Sequence, residues 1–404
     1  MQRGTGVRRV IMIAAVVGLL IWPAGAASAA AGSQTVWKVQ TTPNPAGVLG
    51  SQLTGVSCPS AKACFAVGAS STSDQGNQPL AEHWNGTAWA IQHAVKPKTS
   101  EDTDLEAISC PTVSNCTAVG FYTNTSGSNL ALAEHWNGSA WSVQRIPTPS
   151  SVLAGNPFKL LGVSCAAAHS CVTVGFYFDP SLDGNVIVAE HWNGKRWAIQ
   201  NIVTPPGSAS TFMQGVSCNA AASCTAVGSY TNASGLGVTL AEVWNGTSWA
   251  IQDTPSPAGA TEGSALIGVS CPSAADCTTA GSSTDGSGNT TTLAEQWNGS
   301  AWTIQSTPNE SSGAPVHNDL WGVSCAAADS CSATGYFTNS SVLLRPLAEH
   351  WNGTSWVVED APDPSGRHGS SLQGGVSCSS PSKCTAVGWS QNKSGTSFTL
   401  AERR

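Results

Sequence analysis

Seven copies of one unit fill the chain, and the seventh is divided between its two ends. Each copy reads L-x-G-V-S-C, five residues, C-x-A-V-G, a Gly/Ser/Asn-rich stretch, and L-A-E-H-W-N-G-x-x-W-x-I-Q, with minor substitutions. The first cysteines of successive copies stand 52, 55, 53, 53, 54 and 53 residues apart. A period of that size marks a propeller or a solenoid. The last copy stops at Leu400-Ala401-Glu402 without its W-x-I-Q segment. That segment stands alone near the start, as Trp37-Lys38-Val39-Gln40.

Each unit carries four strand signals, which in the second copy cover residues 105–110, 116–122, 130–136 and 141–146. Val, Ile, Thr and aromatic residues fill them, and turn residues separate them. Asn137-Gly138 is a tight-turn signal between the third and fourth. The Pro-rich run from Ile146-Pro147-Thr148-Pro149 suits a crossing to the next unit. Four antiparallel strands repeated seven times predict an all-β fold, a seven-bladed β-propeller with the first strand of each blade innermost. Glycine and serine of G-V-S suit the crowded axis. Blades start near residues 53, 105, 160, 213, 266, 320 and 372 of a domain spanning 30–404. Residues 35–42 then supply the fourth strand that residues 372–402 lack. This closure covers the sheet edges, whereas a linear solenoid would need polar caps.

All 14 cysteines fall into C-x5-C pairs: Cys58-Cys64, Cys110-Cys116, Cys165-Cys171, Cys218-Cys224, Cys271-Cys277, Cys325-Cys331 and Cys378-Cys384. Each pair flanks a short loop between two strand signals, within disulfide reach on a hairpin. The spacing departs from the shorter steps usual in metal and redox pairs, so seven local disulfides and no metal are expected. Residues 1–29 read as a Sec-type secretory signal: Arg3, Arg8 and Arg9, a short apolar core from Val10 to Trp22, and an Ala27-Ser28-Ala29 cleavage site. The mature chain is then secreted or extracellular, with no second apolar run of membrane-spanning length. Charged residues make up 10% of the chain and the net charge is −7 without a basic run, which argues against nucleic acid as a partner. The repeated Trp, Val, Ile and Leu argue against disorder.

At Trp84-Asn85-Gly86-Thr87-Ala88-Trp89 the unit resembles secreted bacterial β-propellers of the BNR/Asp-box and kelch-like kind. Asn stands where the box has aspartate, and the double glycine of kelch strands is missing. The resemblance implies the propeller fold over the mature chain and carries no activity, because propellers host unrelated functions.

What repeats seven times is read as scaffold. Glu82, Glu134, Glu190, Glu242, Glu295, Glu349 and Glu402 are expected to accept hydrogen bonds within the frame. His83, His135, His191 and His350 stand beside four of them and are replaced elsewhere, which suggests an exposed position. The loops opposite the disulfide end differ most between copies and are the expected binding face. There Tyr122, Tyr177, Tyr230 and Phe337 occupy equivalent places, as an aromatic platform or as packing. His317, Asp319 and Trp321 cluster in one connection, and Glu101, Asp102, Asp104 and Glu106 make another acidic. Asp285-Gly286-Ser287-Gly288-Asn289 alternates oxygen ligands as part of a calcium loop would, but lacks the distal Glu and reads better as a turn.

No G-x-S-x-G or H-E-x-x-H motif appears, and the few arginines beyond the signal do not suit a sialidase-like site. These observations favour a monomeric, secreted binding or interaction module. It needs no cofactor and no catalytic residue, and its extracellular ligand is a glycan or an envelope protein. The alternatives are a glycoside hydrolase or lyase on the loop face and a purely structural envelope protein.

Overall fold

The computed structural model describes residues 37–73, 76–310 and 316–404. The signal read over residues 1–29 lies outside them. The described residues form seven antiparallel sheets and no helix. Six blades are continuous four-stranded meanders. The second consists of Ser100–Thr112, Asn115–Asn124, Asn129–Trp136 and Trp141–Gln144. The first two strands run beyond their cysteines, so each disulfide lies inside the hairpin. The fourth stops at Gln144, three residues before Pro147, where the chain must leave the ladder.

The seventh blade is assembled from both ends of the chain. Lys38–Gln40 pairs antiparallel with Ser397–Arg403, with Val39 opposite Glu402. Trp37 is fully buried there, and Thr399 receives further bonds from the segment just after the strand, including Asn44 Oδ1 accepting its N–H at 3.0 Å. All seven disulfides join the two cysteines of one unit.

The core is shared among seven joints rather than gathered at one centre. Each of seven hydrophobic clusters draws on two neighbouring blades; Phe65 and Val67 of the first blade, for example, pack with Leu105 and Leu132 of the second. Two polar contacts recur beside them. The serine of V-S-C accepts the N–H of the first cysteine in the next blade at 2.9–3.0 Å, seven times round, and Ser377 to Cys58 closes the circle. The fourth-strand tryptophan donates its indole N–H to the W-x-I-Q glutamine of the preceding blade, as in Trp197 to Gln144 at 2.8 Å. At the joint entering the split blade, Glu359 replaces that glutamine. It accepts from Trp37 at 2.8 Å and pairs with Arg404 at 2.9 Å. Trp89, in the joint after it, has no partner for its N–H.

The W-N-G turns follow from one side chain. In the first blade Asn85 Oδ1 accepts the N–H of Thr87 and Ala88 at 3.0 Å and the Thr87 hydroxyl at 2.7 Å. The same bonds recur at Asn137, Asn245, Asn298 and Asn352. The recurrent Asn-Gly-Ser/Thr of these five turns is thus accounted for by turn geometry.

Candidate functional site

In L-x-G-V-S-C one position is not shared, and the structure gives it a separate place. In six blades the strand register slips between L and G, so x is a β-bulge residue outside the ladder. A Cβ on Gly68, the A-V-G glycine opposite the first bulge, would strike the Gln52 carbonyl, so this glycine is what lets the bulge form. In the seventh blade the sequence carries an extra glycine, and Gly374 and Gly375 divide the inner strand into Gly369–Ser371 and Val376–Ser380.

The x residues are Thr54, Glu106, Leu161, Gln214, Ile267, Trp321 and Gln373. All seven line one axial channel of about 360 Å³. The L-x-G glycines beside them let the strands converge: a Cβ on Gly322 would lie 2.6 Å from Gly375 Cα. Glu106, in the second blade, faces Ile267 and Trp321 of the fifth and sixth across the ring. Burial and the neighbouring Asp104 push the Glu106 carboxyl up to about 7, with Lys159 opposing. Asp104 is itself raised by burial, although the Asn77 amide donates to it at 2.9 Å. The Lys159 ammonium lies 3.6 Å over the Phe121 ring. Trp321 is 37% exposed.

The residues singled out in the sequence are placed unevenly. Trp321 is in the channel wall. Asp319, two residues before it, accepts the Tyr336 hydroxyl at 2.8 Å, which raises the phenol further than burial alone. His317 lies at the loop end, where its carbonyl accepts the Thr338 N–H. Tyr122, Tyr177, Tyr230 and Phe337 are half-buried in four separate blade joints, each against its own hydrophobic cluster. The second-blade acids run from Asp102, which accepts the Asn77 N–H at 2.7 Å, to Glu106 in the channel. Asp285 accepts from Ser287 and Asn289 within its own turn. Among the described residues no group of three His, Cys, Asp or Glu is placed to hold a metal ion.

Two scaffold expectations need correction. The four histidines are half-buried rather than exposed, and burial lowers the pKa of each; His83 stacks on Phe65 with centroids 4.4 Å apart. The seven glutamates are fully buried, but only Glu134 and Glu242 accept a hydrogen bond, from the N–H of Val95 and Val203. These valines lie three residues after the glutamine of the preceding blade. In the other five joints that position is Pro43, Pro147, Pro255, Pro308 or Pro362. Proline has no N–H to give. Both carboxyl oxygens of Glu82, Glu190, Glu295, Glu349 and Glu402 are correspondingly without a partner. Thr399 and Thr292 moderate the rise at Glu82 and Glu349 without making a well-formed hydrogen bond. Burial holds six of the seven carboxyls near 8, largely protonated in neutral solution, and Glu134 near 7, about half protonated there.

No family model matches the chain, and no curated protein does. Solved structures share its fold. A GH74 xyloglucanase from Xanthomonas campestris is similar over 88% of this chain, with a TM-score of 0.54 and 14% identity. A puromycin-hydrolysing peptidase from Mycobacterium tuberculosis is similar over 91%, with a TM-score of 0.53 and 10% identity. This chain spans 53% of each. SapL1 lectin, solved with alpha methyl fucoside, has a TM-score of 0.47 at 13% identity, over 79% of this chain and 99% of the lectin. At such identities the likeness is one of fold. The seven disulfides fit an extracellular setting, and among the described residues no helix is long and apolar enough to cross a membrane.

Proposed function

We propose that this chain is a secreted binding module that takes an extracellular glycan in its axial channel. One observation carries the reading: the x position of L-x-G, where the copies disagree, is a bulge in six blades, and all seven x residues line one channel. The part-exposed Trp321 indole offers a face on which a sugar ring can stack. Glu106, Gln214 and Gln373 offer polar groups for its hydroxyls, and Asp319 supports the wall beside Trp321. A glycan array and cell-wall polysaccharide fractions, probed with the mature chain, test this. Trp321→Ala and Glu106→Gln should each weaken binding about tenfold or more, in line with the loss of a stacking face or a hydrogen-bonded partner. Binding that survives both changes would place the ligand elsewhere.

A second reading, hydrolysis of a glycosidic bond, is favoured by the Glu106 carboxyl near 7 beside Asp104. A channel carboxyl near 7 can serve as the general acid of such chemistry. Turnover of an extracellular glycan, abolished in Glu106→Gln, would favour this reading over binding alone.

A further inference from the structure

The first blade differs from its sisters at one place on the loop side. Two residues after the A-V-G glycine, the second, third, fourth and sixth blades carry Tyr122, Tyr177, Tyr230 and Phe337. Each ring enters the joint with the preceding blade. Tyr122 joins the cluster with Val95 of the crossing loop, Tyr177 that with Ile146 and Val152, and Tyr230 that with Ile202. The seventh blade has Ser390 at this position, but its cross-strand partner Phe398 supplies a ring, capped by the Arg367 guanidinium 3.8 Å from the centroid. Partners across neighbouring strands share a face of the sheet. The fifth blade has a small polar pair instead, Ser283 and Thr291, with hydroxyls 3.3 Å apart.

The first blade has Ser70 opposite Gln78, and neither provides a ring. The Gln78 amide turns back to the carbonyls of Gly76 and Asn77. A cavity of about 640 Å³ stands at this place, with Val48, Ser70, Leu80, Ile91 and Val95 among its walls. Val48 lies eight residues after Gln40, as Val152 lies eight after Gln144. The crossing loop therefore keeps the apolar arm that elsewhere packs with Tyr177, while the ring beside it is missing.

We propose that this cavity is a binding site for a phenol: one aromatic ring from a ligand occupies the place that five sister blades fill from their own chain. Three of the five rings are tyrosines, so a ring with a polar edge directed outward suits the frame. Val48, Leu80, Ile91 and Val95 give the ring an apolar side to pack against, and Thr72, Gln78, His93 and Lys96 line the rest of the cavity toward its polar edge. The site is separate from the axial channel and does not depend on what the channel binds.

The test uses p-cresol and the intact mature chain, followed by methyl NMR. A ligand of this size should bind with a Kd on the order of 1 mM. Saturable shifts are expected, with contacts from the ring protons to the methyls of Val48, Leu80 and Val95. Ser70→Tyr, which places in the first blade the residue its sisters carry, should weaken binding at least tenfold and leave the methyl spectrum of the fourth blade unchanged. Tyr122→Ser should open a second place of the same kind and raise the stoichiometry from one to two. Absence of those contacts in the unaltered chain at saturating p-cresol overturns the proposal, whether or not the variants fold. So does a folded Ser70→Tyr chain that binds as the unaltered one does. Shifts confined to the channel residues would overturn it while leaving the channel reading intact.

Discussion

Two positions, three residues apart in six blades and four in the seventh, behave in opposite ways. The serine of V-S-C is the same in all seven copies, and each one bonds the cysteine N–H of the next blade. The x of L-x-G is Thr, Glu, Leu, Gln, Ile, Trp or Gln. Identity follows use by the joint. A serine that bridges two blades cannot change without leaving a part-buried N–H unpaired, whereas a bulge residue has left the ladder, and only some, such as Thr54 with its hydroxyl donating to the Leu105 carbonyl, bond the next blade. Variation at x is therefore open to selection by whatever enters the channel.

That contrast can be broken most forcefully at the split blade. Trp37 is a joint residue supplied by the far end of the chain, so Trp37→Ala should cost about 3–5 kcal/mol, the range for a buried aromatic cut to alanine. Urea denaturation measures it, and a loss of a few tenths would mean that closure adds little.

Acidity sharpens the contrast next. An unfolded glutamate releases its proton near 4.5, while six of the joint glutamates hold theirs to about 8. Below 4.5 both states are protonated and nothing is gained or lost. Between 4.5 and 8 the folded chain binds more protons, so stability should fall as pH rises and then level off. The four histidines, with pKa values lowered on folding, pull the other way below 6.5 and are fewer. Thermal melts across pH 4.5–8 should show this decline, and Glu190→Gln should make it shallower. A melting temperature that rises throughout this range would contradict it.

The smallest effect separates the two positions directly. Ser324→Ala should cost about 1–3 kcal/mol by leaving the Cys378 N–H unpaired. Gln214→Ala, at a bulge, should stay within about 0.5 kcal/mol. Equal losses in the two variants would erase the distinction.

Much of the frame was legible in the sequence because it is written seven times. The blade count, the disulfide pairs and the partner of Trp37 to Gln40 all follow from local patterns that repeat. The bulge was hidden, since L-x-G reads as an ordinary stretch of strand until its partner is known. Pro147 was visible, but its effect on Glu190 crosses a joint between blades and has no local signature. Tyr122 and Ser70 were recognisable as equivalent positions. That one fills a space and the other leaves it open depends on a loop arriving from the preceding blade. Of the channel, Trp321 and Glu106 were noticed as members of unusual loops, and only the ring order sets them across from each other.

The divided blade has a consequence for how the molecule can be re-engineered. Arg403 and Lys38 end and begin two paired strands at the place where every other blade has a W-N-G turn. The division of the seventh blade thus falls where its sisters make a reverse turn, and the blade still has its outer pair of strands. Joining the two ends through Asn-Gly and opening the chain in any crossing loop would give a circular permutant with the same seven joints. By this logic, new termini can be placed on either rim of the ring.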